Sequence, residues 1–249
     1  MSFLPTGTVH GTALNFRGER EALGARMSEP HKAPLAAAPG RPKQGTAPSG
    51  GSEVHAVTNV GALPIAPVLY VKPANTWTAH GGAVVVPAGA AELWVGATIS
   101  MVFGPLAPAS ASFSAMERVA GYVLMNDFSL PQPNLFRPPI KFNCLDGFLG
   151  IGNQLVPAAE AGDPAAFVLE VRIDGELKQT IRFAELVRPA ARLVADVSEF
   201  MTLREGDVLM LGTDLLAGGA HLSARAGQRI DISAAGFPTL SNTLVAEVV

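Results

Sequence analysis

The chain has 249 residues, 48% hydrophobic and 16% charged, which is enough for one large domain or two small ones with a real core. A formal net charge of −3 and a pI near 6.0 give no reason to expect nucleic acid or an anionic membrane as a partner. A single cysteine, Cys144, excludes an internal disulfide framework and a multi-cysteine zinc site and fits a reducing compartment. The first residues, MSFLPTGTVHG, lack a basic segment followed by an apolar run, so no signal peptide is expected. No apolar stretch reaches the roughly 18 residues of a membrane-spanning helix, and the expected location is the cytoplasm.

Gly7 to Asn15 read as a short apolar strand. From Gly18, GEREALGARM reads as a short helix with Glu19 early and Arg26 late, as the helix dipole prefers. This amino-terminal segment, residues 1–34, is followed by an Ala/Pro/Gly-rich stretch at 35–67. There Pro39, Pro42, Pro48, Pro64 and Pro67 break any helix, and Gly40, Gly45, Gly50 and Gly51 loosen the backbone. A long flexible loop is expected, with His55 solvated inside it. The main domain then runs over 68–249. VLYVKP, from Val68, is a strand ending at Pro73, and Gly81-Gly82 precede a short VVV strand.

Leu93 to Phe103 is the most regular strand. Leu93, Val95, Ala97, Ile99, Met101 and Phe103 share one face by period two, and Trp94, Gly96, Thr98 and Ser100 share the other. Ser114 to Glu117 has the form of a capping box opening a short helix. The next strand covers Tyr122 to Met125 and ends on Asn126-Asp127, followed by a proline-rich loop and an Asp146-Gly147 turn. A carboxylate just past a buried strand suits a metal ligand or catalytic acid, and equally a turn cap. Val168–Ile173 and Leu177–Phe183 flank Asp174-Gly175 as a hairpin. Pro189 starts a helix reaching to about Leu203, with Leu193, Val194, Val197, Phe200 and Met201 as its apolar stripe. LREGDVLMLGT gives a turn at Glu205-Gly206 and a buried strand into Gly212-Thr213, and GQRIDISAAGFPTLSNTLV closes the chain as paired strands. P-loop, G-x-G-x-x-G and G-x-S-x-G motifs are absent, and His10, His80 and His221 lack metal-ligand spacing. Many short strands with two or three helices predict an α+β, mainly β, fold.

Five blocks in order, ALNFR, YVKP, GYVLMND, LDGF and GDVLMLGT, resemble the fumarylacetoacetate hydrolase family. NDFSLP, LFRPPIK and CLDGF narrow the likeness to the amino-terminal half of bifunctional isomerase/decarboxylases of homoprotocatechuate (4-hydroxyphenylacetate) breakdown. The resemblance implies a mixed β roll with a few short helices. It also implies Mg²⁺ or Mn²⁺ held by an E-x-E strand and the Asp of a GY-x-x-x-ND strand. Residues i and i+2 of a strand point the same way, so two such glutamates reach one hard cation. In the family a glycine ends the E-x-E strand about seventeen residues before the GY glycine. Gly104 lies seventeen before Gly121, and counting back puts Gly96 and Thr98 at the two Glu positions. Using Glu92 instead needs a four-residue slip, which we reject. Asp127 alone remains of the three ligands.

By the same resemblance, an acid/base His and Glu belong at Glu19 and Ala22, and a lysine belongs at Asn143. Lys141, two residues earlier, either approaches the site or is solvated. Arg137, Lys141, Asp146 and Thr213 are the candidate contacts for a small 2-oxo or dicarboxylic acid, and Asp214 stands where the family has proline. The implied activity is 5-oxopent-3-ene-1,2,5-tricarboxylate decarboxylase and 2-hydroxyhepta-2,4-diene-1,7-dioate isomerase. The missing ligands point to a metal-site-degenerate subunit, partnered by a catalytic paralogous chain or a second copy. The alternative is a stand-alone small-carboxylate-binding or acylpyruvate-hydrolase-like protein.

Overall fold

The computed structural model describes residues 2–28, 63–105, 115–132 and 140–248. Fourteen strands lie among them: β1 Val9–Ala13, β2 Val68–Lys72, β3 Trp77–Ala79, β4 Ala83–Val86, β5 Leu93–Phe103, β6 Val119–Ser129, β7 Leu149–Ile151, β8 Val156–Pro157, β9 Val168–Ile173, β10 Glu176–Arg182, β11 Val208–Met210, β12 Ser223–Ala224, β13 Arg229–Ala234 and β14 Leu240–Ala246. The helices are α1 Arg17–Ser28, α2 Ile140–Asn143, α3 Ala158–Ala161 and α4 Ala190–Ser198. None of the described helices is long and apolar enough to cross a membrane.

The main sheet follows the path β2-β1-β11-β5-β6-β7-β3, with β12 on β5 and β8 on β6. Its two end strands, β2 and β3, are joined in sequence by a single turn of 3₁₀ helix, Ala74–Thr76. Strands at opposite ends of a seven-strand path can be chain neighbours only if the sheet curls back on itself, as a roll or barrel does. Its inner side carries Val9, Val102, Val123, Met125, Leu149, Ile151, Val208 and Met210, with Tyr70 and Trp77 against them. On the outer side Leu93, Val95, Ala97, Ile99, Met101 and Phe103 of β5 join Leu169, Val171, Ile230, Ile232, Leu240 and Leu244 of the second sheet in one core. That second sheet runs β10-β9-β13-β14-β4. The period-two split of β5 is therefore the split between the two cores. Both of its faces are buried, so the strand is apolar almost throughout.

The hairpin turn has Asp174 at φ 52° and Gly175 at φ 84°, the pair of positive angles that lets two strands close with their natural twist. Three expectations need correction. First, β6 does not end on Asn126-Asp127 but runs to Ser129, because Asp127 is paired on both sides, with Gly96 on β5 and Leu149 on β7. Second, α4 ends at Ser198, and Phe200 is 63% exposed, while Leu193, Val194 and Val197 form its buried stripe. Third, the segment before Gly121 is one 3₁₀ turn, Ala115–Arg118. Ser114 of the expected capping box lies outside the described residues, as do residues 35–62 of the expected flexible loop. The last part of that stretch is held in place: Arg20 donates to the Pro64 carbonyl at 2.7 Å, and Arg188 donates to that of Ile65.

Candidate functional site

Strand β2 runs antiparallel to β1 with Tyr70 opposite Gly11 and Lys72 opposite Val9. Residues directly opposed in such a pair share a face, so Tyr70 and Lys72 both point to the inside of the roll. The curl of the sheet then carries them to β6, which is not a neighbour of β2 in the strand order. There they meet Asp127. The Lys72 Nζ lies 2.5 Å from Asp127 Oδ1, and the Tyr70 hydroxyl donates to Asp127 Oδ2. The Lys72 side chain is wholly buried and that of Asp127 is 12% exposed.

An unpaired ammonium buried this deeply would cost several kcal/mol. Lys72 is paired and also donates to the carbonyls of Phe128 at 2.8 Å, Asn143 at 2.6 Å and Phe148 at 3.1 Å. These carbonyls lie on β6, at the end of α2 and just before β7. Lys72 thus fastens one end of the curled sheet to the other. It has three protons and four acceptors, so none is left for a ligand.

Opposite Asp127, across the β5–β6 pair, stands Gly96, and Thr98 is opposite Met125. Residues 96, 98, 125 and 127 therefore share the inner face, as the counted register requires. A Cβ built on Gly96 would lie 2.6 Å from the Asp127 carbonyl oxygen and 3.3 Å from its Cβ. Thr98 is 1% exposed, and its hydroxyl donates to the Ile99 carbonyl at 3.2 Å.

Glu19 sits in the first turn of α1 and accepts from the Phe16 amide at 3.4 Å. Burial pushes its carboxyl up to about 8, against the lowering effect of the Phe16, Leu14 and Asn15 amides, and Asp214 pushes it further up. At neutral pH it is chiefly a neutral acid, able to donate a proton. Burial also raises the Tyr70 phenol well above its usual range, and the facing Asp127 and Glu19 carboxyls add to this. The Asp214 carboxyl is likewise raised by burial, with the Leu215 amide opposing.

The other expected contacts are dispersed. Lys141 is exposed on α2, and among the described residues the cation that reaches Asp127 is Lys72. Asp146 is exposed in its turn and accepts from Asn75 Nδ2 at 2.7 Å. Thr213 is partly buried, its hydroxyl enclosed without a hydrogen-bond partner among the described residues. Arg137 lies outside the described residues. Sequence reasoning gave Tyr70 and Lys72 no role in the site, reading them as parts of a strand and of the YVKP block. The available signal was a lysine two residues after a tyrosine in an otherwise apolar strand, which puts both polar groups on one face.

The fumarylacetoacetate (FAA) hydrolase C-terminal family matches residues 49–245. A 4-hydroxyphenylacetate degradation bifunctional isomerase/decarboxylase of Salmonella dublin is 34% identical over 97% of this chain and 48% of its own length. A homoprotocatechuate catabolism bifunctional isomerase/decarboxylase of Escherichia coli is 31% identical, again over 97% and 48%. The chain thus spans about half the length of these curated relatives. Among solved structures, fumarylpyruvate hydrolase from Pseudomonas aeruginosa in complex with Mn²⁺ and pyruvate superposes with a TM-score of 0.70. It is 20% identical and covers 98% of this chain and 91% of that one, a likeness of fold.

Proposed function

We propose that this chain, which belongs to the fumarylacetoacetate hydrolase family, is the metal-site-degenerate subunit of a cytoplasmic isomerase/decarboxylase of 4-hydroxyphenylacetate (homoprotocatechuate) degradation. A paralogous chain carrying the full ligand set is its partner and does the chemistry on the oxo-tricarboxylate. The relatives that support this pathway are enzymes about twice as long as the region matched.

One observation carries the reading. Asp127, the single carboxylate at the locus among the described residues, has one oxygen on the Lys72 ammonium and the other on the Tyr70 hydroxyl. Mg²⁺ and Mn²⁺ demand several free oxygen ligands in a near-octahedral set. Gly96 offers no side-chain donor, and the Thr98 hydroxyl points its proton at a backbone carbonyl. Among the described residues no group of three or more His, Cys, Asp or Glu side chains is placed to hold a metal. The residues present do not fit such an ion, and no step is routed through one.

What the chain can offer is a neutral acid, Glu19, and a rigid curled sheet. Without an electrophile for the 2-oxo acid, the electrostatic stabilisation that is usually the largest catalytic contribution is missing. The purified chain alone is therefore expected to show no metal-dependent decarboxylation of 5-oxopent-3-ene-1,2,5-tricarboxylate. Co-expressed with an E-x-E paralogue from the same genome, it is expected to co-purify with it and raise its stability or turnover. Metal-dependent turnover by the isolated chain overturns the proposal, and so does failure to associate with any such paralogue.

A further inference from the structure

We propose that the cation locus of this chain is closed from within, by the Tyr70 hydroxyl on one oxygen of Asp127 and by β6 pressed against Gly96, rather than lacking ligands alone. The proposal rests on the reading that this chain carries no working metal site, and deepens it by naming what stands there instead.

Four contacts carry it. The phenol of Tyr70 takes Asp127 Oδ2, the oxygen that Lys72 leaves free. The ring reaches that point by passing over Gly11, where a Cβ would overlap it, so the glycine on β1 and the tyrosine on β2 go together. Gly96 lets β6 approach until its Asp127 carbonyl occupies the space in which the first atom of a side chain at 96 would stand. Lys72 already neutralises Asp127 and is held by three carbonyls besides. A divalent ion entering here would find no uncompensated negative charge and would have to displace a hydrogen-bonded phenol in a dry setting.

It follows that putting carboxylates back at 96 and 98 does not reopen the site while Tyr70 keeps its hydroxyl. Mn²⁺ is the probe, titrated into the full chain by calorimetry and by the electron paramagnetic resonance signal of free Mn²⁺. The wild type and Gly96→Glu/Thr98→Glu are expected to show no saturable binding, and Tyr70→Phe/Gly96→Glu/Thr98→Glu is expected to bind about tenfold more tightly or better. The inference is overturned if the double variant binds as tightly as the triple.

Because Glu at 96 must displace a backbone carbonyl, the variants could fail to fold, so a second measurement stands on its own. Tyr70→Phe and Asp127→Asn, made singly and together, read the phenol–carboxylate contact by urea unfolding with no change at 96. Their costs are expected to be non-additive, and simple addition overturns the inference. Neither measurement depends on turnover. A double variant that binds Mn²⁺ as tightly as the triple sinks the inference and spares the proposed function, and a chain that associates with no E-x-E paralogue while Tyr70 and Asp127 prove coupled does the reverse.

Discussion

The phenol ring of Tyr70 lies directly over Gly11 on the neighbouring strand, in the space that any other residue at 11 would need for its Cβ. This places a steric requirement on β1 that follows from an electrostatic one on β6, since the ring is there to bring its hydroxyl to Asp127. Gly11→Ala is accordingly expected to destabilise the chain by about 1–3 kcal/mol through overpacking. In urea unfolding, the cost of Gly11→Ala should fall when Tyr70→Ala is made as well. If the two costs simply add, the ring does not rest on Gly11.

Lys72 carries the second requirement. Lys72→Met removes the partner of Asp127 and the donor to three carbonyls, and leaves a carboxylate in a mostly buried place. A loss of about 3–5 kcal/mol is expected, measured as a lower urea midpoint. Adding Asp127→Leu to Lys72→Met should restore part of it, because the uncompensated charge goes. A loss within about 0.5 kcal/mol for Lys72→Met would show that the two ends of the sheet are held without it.

Glu19 gives the chain a pH dependence of definite sign. Its folded carboxyl sits near 8, against an ordinary value of 4.5, so the folded state holds its proton more tightly than the unfolded state does. The associated stability is fully present below pH 4.5 and is lost progressively as pH rises through 8. Glu19→Gln keeps an acceptor for the Phe16 amide and cannot ionise. It is expected to match the wild type near pH 5 and to exceed it by ~2 kcal/mol or more at pH 9, from urea curves at both values. An unchanged difference across that range would mean that Glu19 is solvated and ordinary.

Asn15 offers a test of how the roll is joined to α4. It is wholly buried, accepts from the Arg188 amide at 3.0 Å and donates to the carbonyls of Arg188 at 3.2 Å and Leu211 at 2.8 Å. Asn15→Ala strands these groups and is expected to cost about 2–3 kcal/mol. By contrast Phe200→Ser, at a 63% exposed position, should stay within about 0.5 kcal/mol of wild type in the same assay.

Local pattern determined much of this protein. The alternation along Leu93–Phe103 fixed which side chains face which core, because successive strand residues point to opposite faces whatever the strand packs against. Asp174-Gly175 fixed a hairpin, because few residue pairs accept two positive φ angles. Gly96 and Thr98 could be set on the face of Asp127 by counting, and the pairing of Gly96 with Asp127 and Thr98 with Met125 has that register. The extent of β6 beyond Asn126 was not legible, since a polar Asn-Asp step reads as a strand end unless the strands pairing with it are known. The occupant of the site was not legible either. Tyr70 and Lys72 lie more than fifty residues from Asp127, with three strands between theirs and β6 along the sheet, and only the curl that brings β2 round to β6 makes them partners. A burial-raised acid such as Glu19 is equally a tertiary property: its sequence neighbourhood is that of an exposed helix start, and burial keeps its proton on, helped by the charge of Asp214 from far along the chain.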